Sequence, residues 1–116
     1  MRYKSTRNSQ LRLEASQVIA QGISEEGGLF VPESFPDLSG ELPALAKLDY
    51  PALAKAIFSK FLTDFTEAEI EVCVSRAYTP EKFGGPCPVK LVPLSRRSQE
   101  KLVSKLRHGP PCTLKD

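Results

Sequence analysis

The sequence predicts a small α/β domain in which short strands form a small sheet with three or four packed helices. Three observations carry that expectation. Two apolar stripes at helical spacing lie back to back in the middle of the chain. Short β-prone runs bounded by glycine and proline flank them. The length of 116 residues fits one domain and leaves no room for two.

The first strand falls at residues 2–7, where Tyr3 and Thr6 are strand formers in an alternating run. A helix follows from about Leu13 to Gln21. Ala15, Val18, Ile19 and Gly22 lie at i, i+3, i+4 and i+7, and Gly22 suits the helix stop. Gly27 and Gly28 then make a turn before a strand at 29–32, which Pro32 ends. The glycine pair reads as turn geometry, since no G-x-G-x-x-G or G-K-[ST] accompanies it.

Residues 33–48 form a connector with one helical turn at Pro43–Lys47. The clearest helix spans 50–62, capped by Asp49, with Pro51 tolerated in its first turn. The stripe Tyr50, Leu53, Ala54, Ile57, Phe58, Phe61 and Leu62 reads as core. A second helix covers 67–78. Thr66 and Glu69 form a capping box, and Phe65 with Ile70 a hydrophobic staple. Ile70, Cys73, Val74 and Ala77 should meet the first helix across a hairpin seam, because the Thr63-Asp64 connection is short.

Beyond Thr79 the texture changes, and six of the ten prolines lie in residues 80–116. Residues 89–94 read as a strand joining the sheet of 2–7 and 29–32. Residues 98–107 satisfy both patterns. Helix start and stop rules fit Ser98 and His108-Gly109-Pro110, whereas Leu102, Ser104 and Leu106 alternate. The local rules favour the helix.

Composition narrows the function classes. Leu, Ile, Val and Phe make up 31 residues, enough for a core. No apolar run approaches a membrane span, and the opening residues lack the apolar region of a secretory signal. A cytoplasmic location is expected, with no membrane partner. Cys73, Cys87 and Cys112 form no C-x-x-C, and the single His108 completes no metal site, so the thiols read as reduced and structural. Residues 1–85 carry 9 Lys/Arg against 12 Asp/Glu, and residues 86–116 carry 7 against 2. The basic tail has no aromatic for base stacking, so no nucleic-acid partner is expected.

The order of segments resembles the N-terminal part of threonine synthase. The resemblance rests on Tyr3-Lys4-Ser5-Thr6-Arg7, the helix ending at Gly22, and Glu26-Gly27-Gly28-Leu29-Phe30-Val31-Pro32. The Phe35-Pro36 connector, the helix pair of 49–78, and Ala77-Tyr78 with Phe83 extend it. His108-Gly109-Pro110-Pro111-Cys112-Thr113-Leu114-Lys115-Asp116 is similar to the family's H-G-P-T-x-A-F-K-D, whose lysine holds pyridoxal phosphate. The match is good over 1–83 and degraded over 84–116. Pro111, Thr113 and Leu114 depart from the motif, and Ser104-Lys105-Leu106-Arg107 replaces an apolar-Glu-Leu-aromatic stretch.

The resemblance implies one threonine synthase-like N-terminal domain over 1–116, with a further strand before the H-G-P motif. It implies an enzyme converting O-phospho-L-homoserine and water to L-threonine and phosphate, with pyridoxal phosphate as cofactor. Lys115 would be the catalytic and cofactor-binding lysine, because only an amine forms an imine with the cofactor's aldehyde. For His108, an element-terminus reading and a site-wall reading both stand. Ser5, Thr6 and Arg7 read as a surface strand end, although all three can reach toward a phosphate. The chain ends one residue after Lys115, so the expectation is a fragment, a truncated product or an excised domain. Its downstream catalytic domain would be missing, and the chain alone would be inactive and bind no cofactor specifically. The other class is a non-catalytic stand-alone domain or decayed product that at most binds a partner.

Overall fold

The computed structural model describes residues 1–83, 89–95 and 98–106. Its first strand, β1 (Tyr3–Ser5), pairs antiparallel with β2 (Phe30–Pro32) in the register Tyr3–Pro32, Lys4–Val31 and Ser5–Phe30. The other edge of β1 is taken at Tyr3, which exchanges two backbone hydrogen bonds of 2.9 and 3.0 Å with Leu13. The helix α1 (Ala15–Gln21) follows. Gln17 accepts from the Glu14 backbone N–H at 2.9 Å, and Gly22 ends the helix at a φ of 77°. The connector forms a single turn, α2 (Leu42–Leu45), one residue earlier than expected.

The central hairpin forms as its caps dictate. Helix α3 (Tyr50–Phe61) begins at Asp49, whose carboxylate accepts from the Ala52 N–H at 2.9 Å. Helix α4 (Glu67–Ala77) begins at Thr66. The Thr66 Oγ1 accepts from the Glu69 N–H, and the Glu69 carboxylate accepts from the Thr66 N–H at 2.8 Å. The two helices pack together, and a last short helix, α5 (Pro80–Phe83), closes this region. Lys55 on α3 bridges Glu67 and Glu71 on α4 at 3.0 and 2.8 Å. These carboxylates raise the Lys55 pKa, Glu71 contributing most.

The seam is narrower than the apolar stripes suggest. Ile70 and Val74 are buried, each 3% exposed. Leu53, Ile57, Phe58 and Phe61 are only half-buried, and Cys73 and Ala77 are exposed. The reading of Cys73 and Ala77 as core is therefore corrected. One face of a three-turn helix meets one neighbour along the row Ile70–Val74, and positions three residues from that row rotate out to solvent.

The second correction concerns the helix expected at 98–107, of which residues 98–106 are described and form a strand. β3 (Val89–Ser95) and β4 (Ser98–Leu106) pair antiparallel from Val89–Leu106 to Ser95–Ser98, with an irregularity between Pro93 and Ser95. A helix at 98–107 would leave 89–95 without a ladder partner, whereas the hairpin gives both segments one. Nor does 89–94 join the first sheet. The described strands form two separate two-stranded sheets.

Three tertiary hydrogen bonds tie the hairpin to the N-terminal segment, one of them from the Met1 amino group to the Thr63 hydroxyl. Asp64, in the α3–α4 connection, accepts from the Ser16 N–H at 2.9 Å, at the orphan-donor end of α1. The Tyr3 hydroxyl donates to the Phe61 carbonyl at 3.1 Å. Hydrogen bonding from Ser16, above all, lowers the Asp64 pKa. Burial, followed by the nearby Asp64 charge, raises that of Tyr3.

Candidate functional site

The most closely built part of the described chain lies where the end of β1 meets the turn before β2. Ser24 and Gly28 close that turn, with the Ser24 N–H donating to the Gly28 carbonyl at 3.0 Å and the Gly27 N–H to Ser24 at 2.7 Å. Gly27 has a φ of 77°, the region where a side chain is strained. Gly28 is required by space instead. A Cβ there would lie 2.0 Å from the Ser5 Oγ and 3.1 Å from the Arg7 nitrogen.

Ser5, Thr6 and Arg7 brace this turn. The Thr6 N–H donates to the Leu29 carbonyl at 2.8 Å, and the Thr6 hydroxyl accepts from the Leu29 N–H at 3.0 Å. The Arg7 N–H donates to the Ser5 Oγ at 3.1 Å, and the Arg7 guanidinium to the Glu26 carbonyl at 2.9 Å. The Glu26 carboxylate accepts from the Ser24 hydroxyl at 2.7 Å. Hydrogen bonding from Ser5, then from Ser24, holds its pKa below the usual carboxylate range. Ser5 and Ser24 are both buried.

The turn reading of the glycine pair is borne out, and its chemistry follows. The space that a phosphate would need against Gly28 is filled by the Ser5 hydroxyl, and the Gly27 N–H is already committed to Ser24. The pair is therefore not a phosphate cradle. Ser5 and Thr6 spend their hydroxyls on the turn rather than on a ligand.

The sequence reading missed the roles of Ser24 and Glu26. A serine two residues before an acid is the available signal, because short polar side chains in turns bond locally. Lys115 and His108 lie outside the described residues. A groove of about 600 Å³ runs between α3, α4 and α5 beside Asp49, Lys55, Glu71 and Tyr78.

With this geometry in place, comparisons with known proteins become informative. A family model described as the threonine synthase N terminus matches residues 2–78, which include both strands of the first sheet and the whole helix hairpin. The chain belongs to the threonine synthase family. Threonine synthase of Methylobacillus glycogenes is 26% identical over 121 residues, covering 100% of this chain and 26% of that protein. Threonine synthase of Corynebacterium glutamicum is 31% identical over 122 residues, covering 100% of this chain and 25% of that protein.

The crystal structure of threonine synthase from Escherichia coli matches with a TM-score of 0.62 at 24% identity, over 78% of this chain and 20% of that one. That likeness supports the fold. The chain spans about a quarter of the length of the curated threonine synthases it matches. Among the described residues no helix is long and apolar enough to cross a membrane.

Proposed function

We propose that this chain is the N-terminal domain of a threonine synthase-type lyase, which converts O-phospho-L-homoserine and water to L-threonine and phosphate. Threonine biosynthesis in the cytoplasm belongs to this reading. One observation carries it: the N-terminal family match over 2–78 lies within alignments that take in the whole chain and only a quarter of each relative. The domain alone is inactive, because the contacts a complete site needs belong to the other three quarters.

The cofactor of such an enzyme is pyridoxal phosphate, which when bound supplies a ring that takes up carbanion charge. In this chain Lys115 is the residue assigned to hold it, on the H-G-P motif position. An ordinary lysine, with a pKa near ~10.4, is mostly protonated at neutral pH and a poor nucleophile. Desolvation or a cationic neighbour must lower that pKa before the amine reacts. The described residues supply no phosphate cradle at their glycine pair, so the phosphate contacts fall to the partner domain.

The test is borohydride trapping with pyridoxal phosphate, followed by peptide mapping and an assay with O-phospho-L-homoserine. The isolated chain should show labelling spread over several lysines and no turnover. When the chain is joined to a downstream threonine synthase domain, the label should concentrate on Lys115, and activity should vanish in Lys115→Ala. Stoichiometric labelling of Lys115 alone in the isolated chain, with turnover, overturns the proposed inactivity. Absence of Lys115 labelling in an active joined protein overturns the assigned role.

A further inference from the structure

Two internally braced units meet at one short segment. The first is residues 1–33. There β1 pairs with β2, Leu13 bridges Tyr3, Arg12 pairs with Glu33 at 3.0 Å, and the Glu33 N–H donates to the Arg2 carbonyl at 2.8 Å. The second is the α3–α4 hairpin, held by Lys55 between Glu67 and Glu71. The three hydrogen bonds from the first unit to the second all land on residues 61–64. Tyr3 donates to the Phe61 carbonyl, the Met1 amino group to the Thr63 hydroxyl, and the Ser16 N–H to the Asp64 carboxylate.

The connector between the units belongs to the hairpin. The Phe35 ring packs edge-on against Phe61, with centroids 6.4 Å apart, and Glu41 pairs with Lys60 on α3 at 2.6 Å. Glu33 is thus fastened to the first unit and Phe35 to the second. Ser34, exposed and in a bend, is the one residue between those two attachments. A swing of one unit against the other falls on its backbone, because hinges are short segments that absorb a change in φ and ψ.

Asp64 also differs in kind from the other carboxylates that hydrogen bonding holds below their ordinary range. Glu26 bonds to Ser24 inside its turn, Asp37 to Ser39 two residues on, and Glu69 to Thr66 in the cap of its own helix. The partner of Asp64 lies 48 residues away, in the other unit. Asp64 is therefore a cap for α1 supplied by the hairpin, and its charge bears on the contact between units rather than on either unit alone.

We propose that residues 61–64 form an acid-sensitive clasp, in which protonation of Asp64 releases residues 1–33 from the hairpin while each unit keeps its own structure. A neutral carboxyl is a weaker acceptor than a carboxylate for the Ser16 N–H. The released Asp64, freed of that bond, takes up a proton more readily than the clasped one. Acid therefore favours release, and the clasp is fully held above the ordinary carboxylate range. The other charged or titratable groups at this junction are Tyr3 from β1, Glu14 at the start of α1, Glu69 from α4 and the Met1 amino group on Thr63. Glu14 is paired with Arg2 at 3.5 Å, and Glu69 with its own helix cap.

The experiment follows urea unfolding of the 116-residue chain with two probes. Dyes on the exposed Cys73 and on Ile19→Cys, at another exposed position, report the distance between the units, with Cys87→Ser and Cys112→Ser removing the other thiols. Far-ultraviolet circular dichroism reports the helices. The two transitions should coincide at neutral pH. Below about pH 4 the distance transition should move to lower urea than the helix transition. The release constant should rise about tenfold or more, the size of one charge-assisted hydrogen bond. Asp64→Ala should separate the probes already at neutral pH. Asp64→Asn keeps an oxygen for the Ser16 N–H but cannot titrate, so acid should no longer separate them. Coincident probes in the wild type at both pH values overturn the proposal. So does an Asp64→Asn variant that keeps the acid separation, because that assigns it to Glu14 or Glu69. Those two comparisons decide the matter even where Asp64→Ala does not fold.

Discussion

Gly28→Ala is the perturbation that most directly interrogates the turn. The added Cβ would sit 2.0 Å from the Ser5 Oγ, with the Arg7 nitrogen at 3.1 Å and the Arg7 Cβ at 3.2 Å behind it. Real Cβ contacts do not approach 2.0 Å, so something must move. Ser5 is 2% exposed and cannot swing into solvent in place. Rotating its hydroxyl away forfeits the bond from the Arg7 N–H, at about 1 kcal/mol. The residual squeeze against Arg7 adds about 1–3 kcal/mol of overpacking.

The expected cost is therefore about 2–4 kcal/mol, or a fall in melting temperature of more than ~8 °C. Circular-dichroism melts and urea titrations read it. Gly22→Ala is the control, with the same positive φ as Gly27 but nothing within 4 Å of its added Cβ, and should cost about 1 kcal/mol. Removing the hydroxyl with Ser5→Ala should make Gly28→Ala less damaging than in the wild type. Gly28→Ala melting within ~2 °C of wild type would refute the close packing of Ser5 on the turn.

Other predictions follow from the helix hairpin and its charges. Ile70→Ala should cost about 2–4 kcal/mol in urea unfolding, because Ile70 is buried, whereas Cys73→Ser, at an exposed position, should stay within ~0.5 kcal/mol. Thr66→Ala should cost about 1 kcal/mol by removing the acceptor for the Glu69 N–H; Thr66→Asp should retain most of that stability. Glu26, Asp64 and Glu69 all have pKa values lowered in the folded protein. Their contribution is complete above the unfolded carboxylate range and is lost as pH falls through the folded values. Melting temperature should therefore hold near neutrality and decline below about pH 4. Glu26→Gln should flatten part of that decline, and an unchanged acid limb would show that the Ser24 bond to Glu26 does not form.

Legibility differed between elements for physical reasons. Helix starts are written in a few adjacent residues, so Asp49 and the Thr66–Glu69 box could be read directly and both are found. The Gly27–Gly28 turn and the strand after it were equally local. Whether 98–107 is helix or strand could not be read locally, because its segment satisfies both periods and the deciding partner is Val89–Ser95. Periodicity identified Ile70 and Val74 as inward-facing. It overreached at Cys73 and Ala77, because the width of a buried stripe depends on how many neighbours cover it. The same limit applies to the site. Ser5, Thr6 and Arg7 were visible as polar residues at a strand end, but their commitment to Ser24–Leu29, some twenty residues away, depends on the pairing of β1 with β2.

The sequence by itself determined the α/β class, the caps, the turn and the family resemblance that the match over 2–78 bears out, since each resides in short-range chemistry or residue order. Tertiary structure alone decided that β1 has both edges occupied at Tyr3, that β3 and β4 pair with each other, and that Asp64 becomes the acceptor for the Ser16 N–H. Those are contacts between segments, and a backbone or carboxylate oxygen acquires its partner only when the chain brings a donor within about 3 Å.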